Sequence, residues 1–283
     1  MYAWRKGIAS WKIKGTLYLS IPFTWLLPEA RNIASKHSGT VRCGGPAVSL
    51  LPDFLPKKWI ATESLPYSPL TFHNPLATFT SRGCDNSCGF CAVPKIEGKL
   101  VELKDWPIRP IICDNNLLGT SKKHFDSVID KLKSLPFVDF NQGLEADLFT
   151  VEKARKISEL KQPMIRFAFD HISEESNVVD AITLAKSVGL KNIGCYVLVG
   201  FNDTPEDAKY RLDLLIEKGV RPNPMRFQPL DSLKKDSFLS KNWDAHSMAR
   251  VIKYYSKLNF LGHIPFEDYV HNNSDIPGGF GLL

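Results

Sequence analysis

From residue 76 onward, short apolar runs alternate with amphipathic stretches bounded by helix-starting and helix-stopping residues. Six of these runs read as strands, over 76–80, 109–114, 138–142, 164–169, 192–199 and 225–228. Most are continuous rather than alternating, as expected when both faces of a sheet are covered. The stretches between them predict helices over 121–135, 151–160, 173–189, 204–219 and 244–258. Thr150 and Ser173 read as N-caps, and Thr204-Pro205 as a helix start with acidic Glu206 and Asp207 behind it. Gly189 and Gly219 read as stops. Strand followed by helix or long loop, repeated every roughly 25 to 35 residues, is the pattern of right-handed βαβ units and a parallel sheet. A doubly wound sheet and a β/α barrel share this rhythm.

The first 75 residues have another texture. Trp4, Trp11 and Trp25 lie close together, prolines fall at 22, 28, 46, 52, 56, 66 and 69, and no βα rhythm is legible. Two regions are therefore expected: an irregular or small α/β extension over 1–75, and an α/β core with a C-terminal tail over 76–283.

Composition bounds the class without choosing a function. With 43% hydrophobic and 23% charged residues, the chain of 283 residues is ordinary for a globular protein. The apolar stretch Leu17–Leu27 is broken by polar residues and Pro22 and is too short to span a bilayer. No membrane partner is expected, and the absence of a legible targeting segment gives a cytoplasmic expectation. The formal charge of +6 is carried by scattered pairs such as Lys57-Lys58, Lys122-Lys123 and Lys234-Lys235. Such pairs fit solvated faces better than a nucleic-acid footprint.

The most specific signal is chemical. Cys84, Cys88 and Cys91 stand in a C-x3-C-x2-C run with Phe90 directly before the third cysteine. Iron–sulfur clusters and structural zinc sites ordinarily take four protein ligands, so three clustered thiolates leave one coordination position for something else. A zinc site would need a fourth donor, and His73, eleven residues upstream, is the available one. Cys43, Cys113 and Cys195 are isolated and form no second metal-binding pair, and the two in predicted strands, Cys113 and Cys195, read as small buried hydrophobes.

This run resembles the motif of the radical SAM (S-adenosylmethionine) superfamily. The resemblance implies a partial (β/α)6 barrel of radical SAM type, with the cysteine loop after its first strand. It implies a 4Fe-4S cluster held by Cys84, Cys88 and Cys91, whose fourth iron is chelated by the amino and carboxylate groups of SAM. Reductive cleavage of SAM would give a 5′-deoxyadenosyl radical that takes hydrogen from substrate, with a reductant such as flavodoxin or ferredoxin supplying the electron. Thr40–Pro52 is similar to the last strand and turn of a cobalamin-binding-type domain, but is too short for the whole domain and lacks its Asp-x-His-x-x-Gly ligand motif.

The same resemblance points to the C-terminal ends of the strands. Asp114, Asn115 and Asn116 end the second strand, where the family binds the amino group of SAM. The glycines of the family's Gly-Gly-Glu motif are missing here, and an Asx turn explains the same residues. Glu145, after the third strand, is a candidate for the SAM ribose or a substrate donor. Arg166, inside the apolar fourth strand, needs a partner because a buried unpaired cation is costly. Glu145 or the SAM carboxylate would serve. Asp170 matches a ribose-binding position, or caps the following helix. Val199 and Gly200 fit an adenine-packing stretch, although Gly200 is also explained by a turn with positive φ. Gln228 falls where the family's backbone meets the adenine edge, and it or Arg226 is equally placed for substrate.

Two functions of different class follow. One is a radical SAM enzyme acting on a nucleobase, peptide or small molecule. The other is a zinc-stabilised nucleic-acid-binding protein without catalysis. No catalytic residue is named by the sequence, and neither Pro265–Tyr269 nor Gly278–Gly281 carries an interpretable motif.

Overall fold

The computed structural model describes residues 7–62 and 68–270. Trp4, Pro66 and Gly278–Gly281 lie outside the described residues. The chain divides into two compact units: Met1–Gln142 with Glu159–Met164 and Pro229–Lys234, and Gly143–Ser158 with Ile165–Gln228 and Lys235–Leu283.

The first unit opens with three strands, β1 (Ala9–Ile13), β2 (Thr16–Ser20) and β3 (Val41–Gly44), in the order β1-β2-β3. β1 and β2 are antiparallel, and β2 and β3 are parallel. The crossover between β2 and β3 carries helix α1 (Leu27–Ser35), and β3 turns into the short helix α2 (Pro46–Leu50). Pro28 and Pro46 sit in the first turns of these helices, where a missing N–H costs nothing. Two of the prolines that hide the pattern in the sequence are thus helix starters. Gly45 makes the turn at φ +101°, and a Cβ there would lie 2.8 Å from the Ile21 carbonyl oxygen, so only glycine fits. Leu17, Leu19, Ile21, Leu27, Val41 and Cys43 form a core of this segment's own. Each large apolar side chain so buried contributes roughly 1.5–3 kcal/mol.

Helix α3 (Leu70–His73) leads into β4 (Ala77–Thr78), followed by the short strands β5 (Ser81–Arg82) and β6 (Val101–Glu102), with helix α4 (Val93–Ile96) between them. The remaining elements alternate: β7 (Ile111–Ile112), α5 (Lys122–Leu132), β8 (Val138–Phe140), α6 (Val151–Ser158), β9 (Pro163–Ala168), α7 (Glu175–Ser187), β10 (Asn192–Val199), α8 (Pro205–Glu217), β11 (Arg221–Arg226), α9 (Ala245–Ser256) and α10 (Leu258–Leu261). Six strands make one parallel sheet in the order β11-β10-β9-β8-β7-β4. The order follows the sequence without reversal. Among the described residues no helix is long and apolar enough to cross a membrane.

The six predicted strands are all present, with instructive differences at the edges. β11 starts at Arg221 rather than Met225, because Pro222 and Pro224 lie in an edge strand, where proline is tolerated. α5 stops at Leu132, short of the expected 135; Pro136 excludes helical geometry from the residue before it. Ser173 does not cap α7. His171 caps a preceding 3-10 turn, its ring nitrogen accepting from the Ser173 N–H while Glu174 accepts from the His171 N–H.

Candidate metal centre

The three cysteines lie in the connection between β5 and β6. β5 pairs antiparallel with β6, through Ser81 opposite Glu102 and Arg82 opposite Val101. One step further out, the Cys84 N–H donates to the Gly98 carbonyl at 3.1 Å. Gly83 makes this closure possible. Its φ is +75°, and a Cβ would stand 2.1 Å from the Lys99 carbonyl oxygen. Inside the closed loop the Cys91 N–H donates to the Cys88 carbonyl at 3.0 Å, so the last two cysteines flank one turn. Phe90 in that turn is half-buried.

Two carboxylates fix the base of the loop. Glu97, which sequence reasoning passed over, accepts from Arg82 Nη2 at 2.6 Å, the Gly83 N–H at 2.9 Å and Asn115 Nδ2 at 2.7 Å. It joins the strand entering the loop, the glycine before Cys84 and the residues after β7. Arg82 also lies 3.9 Å from the centroid of the Phe79 ring. The only signal for Glu97 was an acid beside a glycine at the far end of the cysteine loop.

Asp114 is buried, and its carboxylate accepts from the Thr80 N–H at 2.6 Å, the Thr80 hydroxyl at 2.5 Å and the Ser81 hydroxyl at 2.7 Å. Burial raises its pKa, against these hydrogen bonds, which pull it down. The residue therefore holds the strand that feeds the cysteine loop. Asn116 follows a different pattern: its Oδ1 accepts from the Gly119 N–H at 3.1 Å, and its Nδ2 donates to Cys84 Sγ at 3.7 Å.

The six thiols separate into two kinds. Cys43, Cys113 and Cys195 are buried, whereas Cys84 and Cys91 are half-buried and Cys88 is exposed. Burial pushes the Cys43 thiol up to about 11 and the Cys113 thiol up to about 12, and it raises Cys195 as well. The loop sulfurs instead accept backbone N–H groups, from Asn86 to Cys84 at 3.4 Å and from Val93 to Cys91 at 3.5 Å. Such bonds stabilise metal-bound thiolates. By donor chemistry and access, the loop thiols fit an iron–sulfur cluster and the buried ones do not. Among the described residues, no three His, Cys, Asp or Glu side chains already converge as a metal site. His73, the candidate fourth zinc ligand, is buried with its Nε2 2.9 Å from the Ser20 hydroxyl.

The other predicted residues belong to the second unit. Glu145 stands before a 3-10 turn over Ala146–Leu148 and is half-buried. Arg166 is buried in β9, its guanidinium 6.0 Å from the Tyr196 ring centroid. Asp170, past the end of β9, accepts from the Leu198 N–H at 3.2 Å, and burial together with the nearby Glu174 pushes its carboxyl up to about 6. Val199 is the buried last residue of β10. Gly200 turns the chain at φ +89° and donates its N–H to Asp203 Oδ1 at 2.9 Å, while a Cβ there would meet Met248 Cε at 2.5 Å. Gln228 Nε2 lies 3.4 Å from Asp236 Oδ1, and its Oε1 is buried without a hydrogen-bond partner. Arg226 Nη2 donates to the Phe238 carbonyl at 2.7 Å.

The structure adds one buried ion pair here. Arg211 donates to the Phe169 carbonyl at 2.7 Å, the Leu198 carbonyl at 3.0 Å and Asp203 Oδ2 at 2.6 Å. Asp203 also accepts from Trp243 Nε1 at 3.0 Å. Burial acts against both charges, raising Asp203 and lowering Arg211, and each charge offsets the cost of the other. The pair ties the ends of β9 and β10 beneath Asp170 and Gly200. Nothing in the sequence distinguishes Arg211 from the other charges of an amphipathic helix.

No family model matches the chain, and no curated protein is similar to it.

Proposed function

We propose that this chain is a radical SAM enzyme with a partial (β/α)6 barrel. The observation that carries the reading is the contrast between accessible Cys84, Cys88 and Cys91 in one C-x3-C-x2-C loop and the three buried cysteines elsewhere. The unreversed order of the six parallel strands supports the barrel, since a doubly wound sheet changes direction at a switch point. A 4Fe-4S cluster held by the three loop cysteines would supply the chemistry of reductive SAM cleavage and, through it, hydrogen abstraction from substrate.

The chain's own residues do the holding. In this reading Cys84, Cys88 and Cys91 are the three ligands. Gly83 and Glu97 set where the loop begins, and Asp114 holds the strand before it. Asp170 and Gly200 remain the candidates for the ribose and adenine of SAM, with Arg166 for its carboxylate. Asn115 is engaged by Glu97 and Asp114 by Thr80 and Ser81, which makes both supports of the loop rather than free donors or acceptors. The substrate class stays among nucleobase, peptide and small molecule, and the reductant is of the flavodoxin or ferredoxin kind.

Anaerobic reconstitution with iron and sulfide is expected to load about one 4Fe-4S cluster per chain. Dithionite and SAM should then yield 5′-deoxyadenosine, and Cys88→Ala should abolish it. Uptake of one zinc with no iron or sulfide would reverse the reading in favour of a zinc-stabilised binding protein. The hydrogen bond between His73 and Ser20 weighs against that alternative.

A further inference from the structure

Resting on the cluster assignment, we infer that Asn116 is a positioning residue that sets the reduction potential of the cluster by hydrogen-bonding Cys84. Two observations fix the amide. Asn116 is buried, and its Oδ1 accepts from the Gly119 N–H at 3.1 Å, which leaves Nδ2 as the group aimed at Cys84 Sγ, 3.7 Å away. A Cβ on Gly119 would come within 3.1 Å of that same Nδ2, so the small residue keeps the amide in place. Cys84 therefore receives one donor from its own loop, the Asn86 N–H at 3.4 Å, and one from the segment after β7.

A donor to a ligating sulfur withdraws negative charge and favours the reduced cluster, so hydrogen bonds of this kind raise the potential. The structure thereby gives the residue after Asn115 a role apart from cofactor binding. It also gives a physical reason for an amide here rather than an acid. A carboxylate would accept from Gly119 equally well but would offer the sulfur no proton and would add negative charge.

The test is the midpoint potential of the reconstituted cluster, followed by its EPR signal during a redox titration. Asn116→Asp keeps the acceptor for Gly119 and removes the donor to sulfur. Reduction of its cluster should become at least about tenfold less favourable, a shift of about 59 mV to more negative potential. Ser87→Asp adds the same charge inside the cysteine loop, on an exposed side chain, and should shift the potential much less. Gly119→Ala, which crowds the amide, should shift it in the same direction as Asn116→Asp and by less, and serves if the aspartate variant fails to load. Equal shifts at 87 and 116, or none at 116 and 119, overturn the inference while leaving the cluster assignment standing. A wild-type chain that takes up no iron overturns both.

Discussion

The two units secure their strand ends with opposite charges. In the first, carboxylates do the work: Asp114 gathers an N–H and two hydroxyls from Thr80 and Ser81, and Glu97 gathers a guanidinium, an N–H and an amide. In the second, a cation does it, as Arg211 collects the carbonyls of Phe169 and Leu198 along with Asp203. The difference follows from what the backbone offers. A chain leaving a sheet for a hairpin presents donors on its inner side, which an acid satisfies. The parallel strands that stop together here present the Phe169 and Leu198 carbonyls, which need a donor-rich group, while Asp170 and Asp203 take the Leu198 and Gly200 N–H groups.

Removing the cation is the harshest way to break this comparison. Arg211→Met leaves the Asp203 carboxylate buried without its partner and two strand-end carbonyls unsatisfied, and should cost about 3–5 kcal/mol in chemical denaturation. A loss below about 1 kcal/mol would mean that the carbonyls find other donors. Removing an acid from the first unit comes next. Asp114→Ala strands the buried Thr80 N–H and should cost about 3 kcal/mol, with poorer cluster loading as a second readout because the strand entering the cysteine loop loses its anchor.

The gentlest test uses pH. The Asp170 carboxyl lies at about 6, raised by burial and by Glu174, so the folded state favours its protonated form. Its contribution to stability is fully present below the unfolded pKa near 4 and is lost as pH rises through about 6. Asp170→Asn keeps an acceptor for the Leu198 N–H and has no charge to desolvate. It should match the wild type at pH 4 and be the more stable by on the order of 2 kcal/mol at pH 7, read from urea melts. An unchanged difference across that range would remove Asp170 from the buried strand-end group.

What the sequence discloses and conceals follows the same physics. The six strands were legible because their apolar runs are continuous, and α8 and α9 because Thr204 and Asp244 cap them with their own side chains. The cluster of Cys84, Cys88 and Cys91 was legible from spacing alone. Glu97 and Arg211 were not, since their meaning lies in partners 14 and 42 residues away, and a charge on a helix or in a loop looks alike whether it is solvated or buried. The small sheet near the start was hidden by prolines, two of which, Pro28 and Pro46, begin helices.

One detail of β11 has a consequence for how the molecule behaves in company. The Phe227 N–H reaches inward to Val199, so by alternation the outward positions of this border strand include 222 and 224, both proline. The rim there offers carbonyl oxygens without the N–H groups that a visiting strand would need. Recruitment of a second chain by ladder formation is thereby discouraged along that side, a guard against aggregation written into two residues.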